Sequence, residues 1–311
     1  MENFDIVTLT VNPALDKSTT FKGLIAEQKI RCSAPNYDAG GGGINVSKAI
    51  KRLGGKSLCI ITSGGSAGRK LEKLIADEGI ETAVVPIENS TRENMIALEV
   101  NSNAQYRVGF PGEPLSKHEM EDILESVRKR QPKFLVASGS ICEGMTPDFY
   151  QKVASIAKEN GSKLVVDTSG EPLERILEVG AYLIKPNIGE LARLTRSERL
   201  DSDEAEEAAR KIISGGKVEI VVVSLGPQGA ILVSKDEAHH IPAPHVKKRS
   251  TVGAGDSMVG AMVWALSQDL PLKQVIQWGV ACGSAATMNN GTQLFDANDA
   301  KRLFDGLRKW W

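Results

Sequence analysis

Two periodicities alternate along most of the chain. Runs rich in apolar and β-branched residues occupy 4–11, 58–61, 134–137, 164–166 and 220–223. A short strand that is apolar at every position is buried on both faces, which predicts a parallel sheet covered by helices on each side. The stretches between carry the helical period. Val46, Ala49, Ile50 and Leu53 fall on one helical face, and Gly54-Gly55 stops that helix. Leu71, Leu74 and Ile75 mark a second. Met120, Ile123, Leu124 and Val127 mark a third, entered through the capping-box pattern Ser116-x-x-Glu119. A further helix is expected over 147–160. From Gly253 on the chain reads as mainly helical, with Ala300, Leu303, Phe304 and Leu307 as the buried stripe of the last helix. Strands alternating with helices give an α/β fold class.

Two patches break this rhythm. Residues 17–38 lack a helical pattern and hold short β-compatible pieces at 19–21 and 29–32. Residues 90–110 hold two more, 94–100 and 105–108, where Ile96, Leu98 and Val100 share one strand face and Met95 and Ala97 the other. A strand apolar on both faces is covered on both, so the two patches are expected to form one small sheet over the main body. Its outer face would need a partner, which predicts a homodimer. Residues 1–311 are otherwise expected to form a single domain.

Composition narrows the partners. The net charge of −1 implies no nucleic-acid partner. No apolar run approaches the roughly 20 residues that span a bilayer. The acidic opening Met1-Glu2-Asn3-Phe4-Asp5 is no signal peptide, and the four cysteines form no C-x-x-C pair, so a reduced, cytoplasmic setting is expected.

Several short stretches carry candidate chemistry. Gly253-Ala254-Gly255-Asp256 opens a predicted helix, and free N–H groups at a helix start receive an anion. Asp256 at that mouth repels phosphate, which makes sense where a hydroxyl must lose its proton beside a transferring anion. A plain turn with Asp256 as helix cap explains the same residues. Asn45, after Gly40-Gly41-Gly42-Gly43, reads first as a cap and second as a ligand for a hydroxyl. Pro13-Ala14-Leu15-Asp16 reads as a turn at the end of the first strand, with Asp16 either closing an Asx turn or holding sugar hydroxyls. The loops Ser138-Gly139-Ser140 and Ser224–Gly229 follow strand ends and suit a phosphate or nucleotide edge. Asn187 and Glu190 stand three apart at a helix start, as a cap or as oxygen ligands for Mg²⁺ held partly through water. No G-x-G-x-x-G occurs, against a dinucleotide enzyme.

In their order and spacing these motifs resemble the ribokinase-like sugar kinases, in the phosphofructokinase B branch, over essentially the whole chain. The resemblance implies a ribokinase-like three-layer α/β/α sandwich with a mostly parallel sheet and a small β lid that also makes the dimer. It implies ATP-dependent phosphorylation of fructose 6-phosphate at the C1 hydroxyl, giving fructose 1,6-bisphosphate in glycolysis. Asp256 would be the base and the N–H groups of Gly253, Ala254 and Gly255 the anion hole. Asn187 and Glu190 would organise Mg²⁺. Lys185, Asn187, Ser224, Gly226, Gly229, Val280 and Ser284 would form the ATP site. Asp16, Lys29, Gly41, Gly42, Gly43, Asn45, Arg92 and Ser140 would hold the sugar phosphate. Ser250, Val252, Ala286, Asn289 and Gly291 would bind K⁺. The chain departs from the family at Ile141-Cys142-Glu143-Gly144, where Leu-Pro-Pro-Gly is usual. Kinases of this branch for fructose 1-phosphate or tagatose 6-phosphate, the alternative substrates, usually carry a lysine where this chain has Gly42; the glycine is expected to leave room and remove a cation from the sugar floor. A sugar-phosphate sensor without catalysis is the remaining alternative, and the retained Asp256 and glycine turn argue against it.

Overall fold

The computed structural model describes residues 4–289 and 292–310. The chain starts as β1 (Ile6–Thr10), runs outward as β2 (Ala14–Phe21) and β3 (Asn36–Gly40), and returns through α1 (Gly42–Arg52) to β4 (Leu58–Ser63). After α2 (Gly65–Asp77) and β5 (Glu81–Pro86) it runs out again as the hairpin β6 (Arg92–Glu99) and β7 (Gln105–Val108). Helices and strands then alternate: α3 (Lys117–Arg128), β8 (Phe134–Ser138), α4 (Phe149–Glu159), β9 (Lys163–Asp167), α5 (Glu171–Val179), β10 (Ala181–Ile184), α6 (Ile188–Leu194), α7 (Ala205–Ser214) and β11 (Val218–Ser224). A hairpin of β12 (Ala230–Val233) and β13 (Ala238–Ile241) precedes the closing helices α8 (Ala254–Ser267), α9 (Leu272–Thr287) and α10 (Ala297–Trp310).

The large sheet has nine strands in the order β13-β12-β11-β10-β9-β8-β1-β4-β5. It is parallel from β5 across to β11, and β12 and β13 add an antiparallel edge. Its inner strands bury both faces, as their apolar runs require, while the edge strands β5 and β13 stay partly exposed. In β8, Phe134 and Val136 face a core built with α1, α8, α9 and α10, while Leu135 and Ala137 face a core built with α3, α4, α5 and α7. This is a three-layer α/β/α sandwich. The expected capping box forms at α3: Glu119 N–H donates to Ser116 Oγ at 3.2 Å, and Ser116 N–H donates to Glu119 Oε2 at 2.7 Å. Among the described residues no helix is long and apolar enough to cross a membrane.

The outlying strands form a separate sheet in the order β3-β2-β6-β7. Two local expectations fail here. Residues 13–16 are not a turn, because β2 begins at Ala14 and pairs with both β3 and β6. The 29–32 piece is not a strand; only Cys32 makes a bridge, to Phe21. The edge position is taken instead by Asn36-Tyr37-Asp38-Ala39-Gly40, a sequence too polar to advertise a strand. Register sets two faces. Asp16 lies opposite Asn94 and Asp38, and Ile96 opposite Ser18 and Arg107, so these residues share one face. The other face carries Met95, Tyr106 and Val108, which remain 39%, 37% and 38% exposed; β6 is therefore apolar but not covered on both sides within one chain.

Candidate active site

The C-terminal ends of β1, β8, β9, β10 and β11 open toward the first turn of α8. In parallel sheets ligands collect at such ends. Gly253 begins that turn in the left-handed region, at φ 71°, and the Leu294 side chain fills the place a Cβ would take. A side chain at 253 would therefore be strained and crowded. The first N–H groups of α8 have no intrahelical acceptor, and Gly255 leaves them open to solvent. Gly253 occupies the cap position and no side chain caps the helix, so Asp256 is not a cap. Nor is Asn45, which lies inside α1 behind the cap residue Gly41. Both are released for another contact, and they make it with each other: Asn45 Nδ2 donates to Asp256 Oδ2 at 2.8 Å.

Burial, and then the Asp167 carboxylate, push the Asp256 carboxyl up to about 6, against the Asn45 hydrogen bond and the Lys185 ammonium. Asp167 was not singled out from the sequence, although its place at the end of a parallel strand was the available signal. It pairs with Lys185 at 3.1 Å. Burial disfavours the Lys185 charge, but the Asp167 carboxylate, with Asp256 and Glu190 adding to it, holds its ammonium above the ordinary value. Lys185 Nζ lies 3.6 Å from where a Cβ on Gly255 would stand, at the edge of the anion turn.

Facing this cluster is the polar side of the small sheet. Asn94 Nδ2 donates to Asp16 Oδ1 at 2.9 Å. Burial raises the Asp16 carboxyl from its usual range, opposed by Asn94 and by the Arg92 guanidinium. Arg92 donates through Nε and Nη2 to the Asn12 carbonyl at 3.3 and 3.2 Å, and through Nη1 to that of Phe110 at 3.0 Å. Asn12 in turn donates to Ser140 Oγ at 3.4 Å and to the Ile141 carbonyl at 3.1 Å. The loop that departs from the family pattern is thus tied to the arginine through Asn12. Gly42 does not leave open room: a Cβ there would meet Ser138 Oγ and the Gly139 amide, so glycine is demanded by close packing of α1 on β8. Lys29 is exposed between β2 and β3, away from these contacts.

Beside the anion turn lies a cavity of about 660 Å³, a size that suits a nucleotide. Asn187, Ser224, Gly226 and Gly229 line one wall, Val280 and Ser284 the other, and Ala254 and Gly255 the floor. The lining also takes in Ala243–Val246, to which the sequence did not point, together with Thr251 and Lys248. Asn187 and Glu190 form a reciprocal cap on α6: Glu190 N–H donates to Asn187 Oδ1 and Asn187 N–H to Glu190 Oε2, each at 2.9 Å. The cap engages Glu190 through Oε2 and does not use its Oε1. Among the described residues no three His, Cys, Asp or Glu side chains gather as a metal cage. Arg249 and Ser250 donate their N–H groups to the Thr287 carbonyl at 2.8 and 3.2 Å, which brings the segment holding Ser250 and Val252 against the end of α9 near Ala286 and Asn289. Gly291 lies outside the described residues.

A phosphate-sized turn, a carboxylate held at its mouth and a nucleotide-sized cavity beside it are the parts of a small-molecule kinase. Residues 4–299 match the sequence profile of the pfkB family carbohydrate kinases. The chain belongs to this family. This pfkB-family kinase is 41% identical over 306 residues to the ATP-dependent 6-phosphofructokinase isozyme 2 of Escherichia coli (strain K12), covering 98% of this chain and 99% of that protein. It is 40% identical over 302 residues to the enzyme of the same name from Mycobacterium tuberculosis (strain H37Rv), covering 96% and 89%. A solved structure of Escherichia coli phosphofructokinase-2 in complex with potassium superposes with a TM-score of 0.94 at 40% identity, over 99% of this chain and 100% of that one. The ribokinase-like fold expected from the motifs is the fold observed.

Proposed function

We propose that this kinase is an ATP-dependent 6-phosphofructokinase that converts fructose 6-phosphate to fructose 1,6-bisphosphate in glycolysis. The observation that carries the reading is Asp256, held by Asn45 at the open first turn of α8. The C1 hydroxyl oxygen attacks the γ-phosphorus of ATP, Asp256 takes the hydroxyl proton, and the bond to the β-phosphate oxygen breaks to release ADP. A carboxyl near 6 is roughly nine-tenths ionised at pH 7 yet basic enough to help, which suits a general base. The N–H groups of Gly253, Ala254 and Gly255, with Lys185 beside them, receive the charge that develops on the transferred group. Asp16 and Asn45 hold sugar hydroxyls. Arg92, anchored on two carbonyls, grips the 6-phosphate.

Glu190 keeps one carboxylate oxygen out of the cap and Asn187 sits beside it, a donor set that fits Mg²⁺ bound mainly through water and nucleotide phosphates. Such an ion neutralises phosphate charge during transfer. The last turn of α9 presents carbonyls at the negative end of a helix, and with Ser250, Val252, Ala286 and Asn289 it suits K⁺. The small sheet acts as the lid over the sugar. Its exposed Met95, Tyr106 and Val108 make it the dimer surface of a cytoplasmic enzyme. The test is product analysis: with Mg²⁺ and ATP, fructose 6-phosphate should yield ADP and fructose 1,6-bisphosphate in equal amounts. Tight sugar binding without ADP release would leave a sensor instead.

A further inference from the structure

We propose that Asp38, on strand β3 of the small sheet, and Thr292, on the segment between α9 and α10, are positioning residues that join the lid to the anion turn, so that sugar phosphate and nucleotide strengthen each other's binding. The two lie 254 positions apart in the chain, and Thr292 Oγ1 donates to Asp38 Oδ2 at 2.5 Å. A hydroxyl held that close to a carboxylate makes a charge-assisted bond, roughly twice as strong as a neutral one. It crosses from the small sheet to the main body.

Each end of this bond leads into the site. Asp38 lies opposite Asp16 in the ladder of β2 and β3, so the two carboxylates share the polar face of the lid. Two residues further on, Gly40 packs against the Asp16 carboxylate so closely that a Cβ would overlap it. At the other end, Leu294 follows Thr292 by two residues, and its side chain fills the place a Cβ on Gly253 would take. The segment between has little slack. Leu294 and Phe295 are 2% and 1% exposed. The Leu294 carbonyl accepts from Asn289 Nδ2 at 2.8 Å, and the Phe295 carbonyl accepts from Arg52 Nη1 at 2.7 Å. Arg52 is the last residue of α1, the helix that also carries Asn45, the partner of Asp256. A close-packed segment pinned at two carbonyls transmits a displacement instead of absorbing it. Seating of β3 over the sugar therefore reaches Gly253, and a nucleotide on the anion turn holds β3 seated. Linkage makes the two effects equal.

The inference rests on the phosphotransferase reading, which wild-type turnover of fructose 6-phosphate tests by itself; the coupling is read from binding, so the two can fail separately. Calorimetry at fixed, saturating K⁺ gives the Kd of fructose 6-phosphate with and without saturating MgAMP-PNP. In the wild type the nucleotide analogue should tighten the sugar about tenfold. Thr292→Val and Asp38→Ala should each cut that factor to below about two, as expected for losing one hydrogen bond to a charged group. The Kd of either ligand measured alone should stay within about twofold. Thr292→Ser keeps the hydroxyl and should keep the wild-type factor. The double variant Thr292→Val/Asp38→Ala should be no worse than either single variant, since both remove the same bond. No tightening in the wild type overturns the proposal, and so does a wild-type factor in Thr292→Val. A loss that appears in the Kd of one ligand measured alone would assign the pair to that ligand's own site, and additive losses in the double variant would make the two residues independent; either result overturns it as well.

Discussion

Replacing Asp256 with asparagine should disable the enzyme and stabilise the protein, and the stabilisation should depend on pH. In the folded chain the Asp256 carboxyl sits at about 6 against an ordinary value of 3.8, because burial and Asp167 oppose its charge. Each pH unit of that lift is worth about 1.36 kcal/mol, so holding the ionised form costs about 3 kcal/mol. The sign follows from proton binding. Between 3.8 and about 6 the folded state binds more protons than the unfolded state, so the stability due to this group is full below 3.8 and is lost as pH rises through about 6. Asparagine keeps the Asn45 hydrogen bond and removes the charge. Asp256→Asn should then melt with wild type near pH 3.5 and gain about 1–3 kcal/mol by pH 7.5, a rise of roughly 2–6 °C. Turnover should fall about 10²–10⁴-fold as the general base is lost, while wild-type kcat/KM falls about tenfold per pH unit below pH 6. Urea or thermal unfolding of the ligand-free proteins across this range is the assay. A stability difference that is absent at pH 7.5, or the same at pH 3.5, would refute the electrostatic account of the site even if activity were lost.

Arg92→Ala should weaken fructose 6-phosphate by about 2–3 kcal/mol, a 30- to 150-fold rise in its KM, from the loss of a charge-assisted contact. ATP binding measured by calorimetry should hardly change, and an unchanged sugar KM would put the phosphate elsewhere. Val108→Asp, on the exposed apolar face of the lid, should give monomers by light scattering; an unaltered dimer would reject that interface. At fixed Mg²⁺, activity should rise with K⁺ more than with Na⁺, and equal rates across a wide range would remove the K⁺ site.

The central strands β1, β4, β8, β9 and β11 were legible because their runs are rich in apolar, β-branched residues, whereas β5, β10, β12 and β13 were not read from the sequence. The α3 capping box and the α8 turn were legible because their signals are local. What escaped depends on long-range pairing. β3 is polar, and it becomes a strand only because β2 offers it a ladder. Residues 13–16 look like a turn until β6 pairs with them from 78 positions away. Asn45 and Asp256 each look like a cap alone, and only the contact between α1 and α8 turns both toward the cleft. Asp167 could be noticed as a strand end, but its effect on Lys185 and Asp256 is a matter of distance in space. Gly42 taught the opposite lesson: its absent side chain looked like vacant space and proved to be a packing contact with β8.

The central claim is tested most directly by measuring kcat/KM, with MgATP saturating, for fructose 6-phosphate, tagatose 6-phosphate and fructose 1-phosphate. A site with Arg92 holding a 6-phosphate and Asp256 at the C1 hydroxyl predicts the highest value for fructose 6-phosphate. A higher value for fructose 1-phosphate, or no phosphoryl transfer to any of the three, would contradict it.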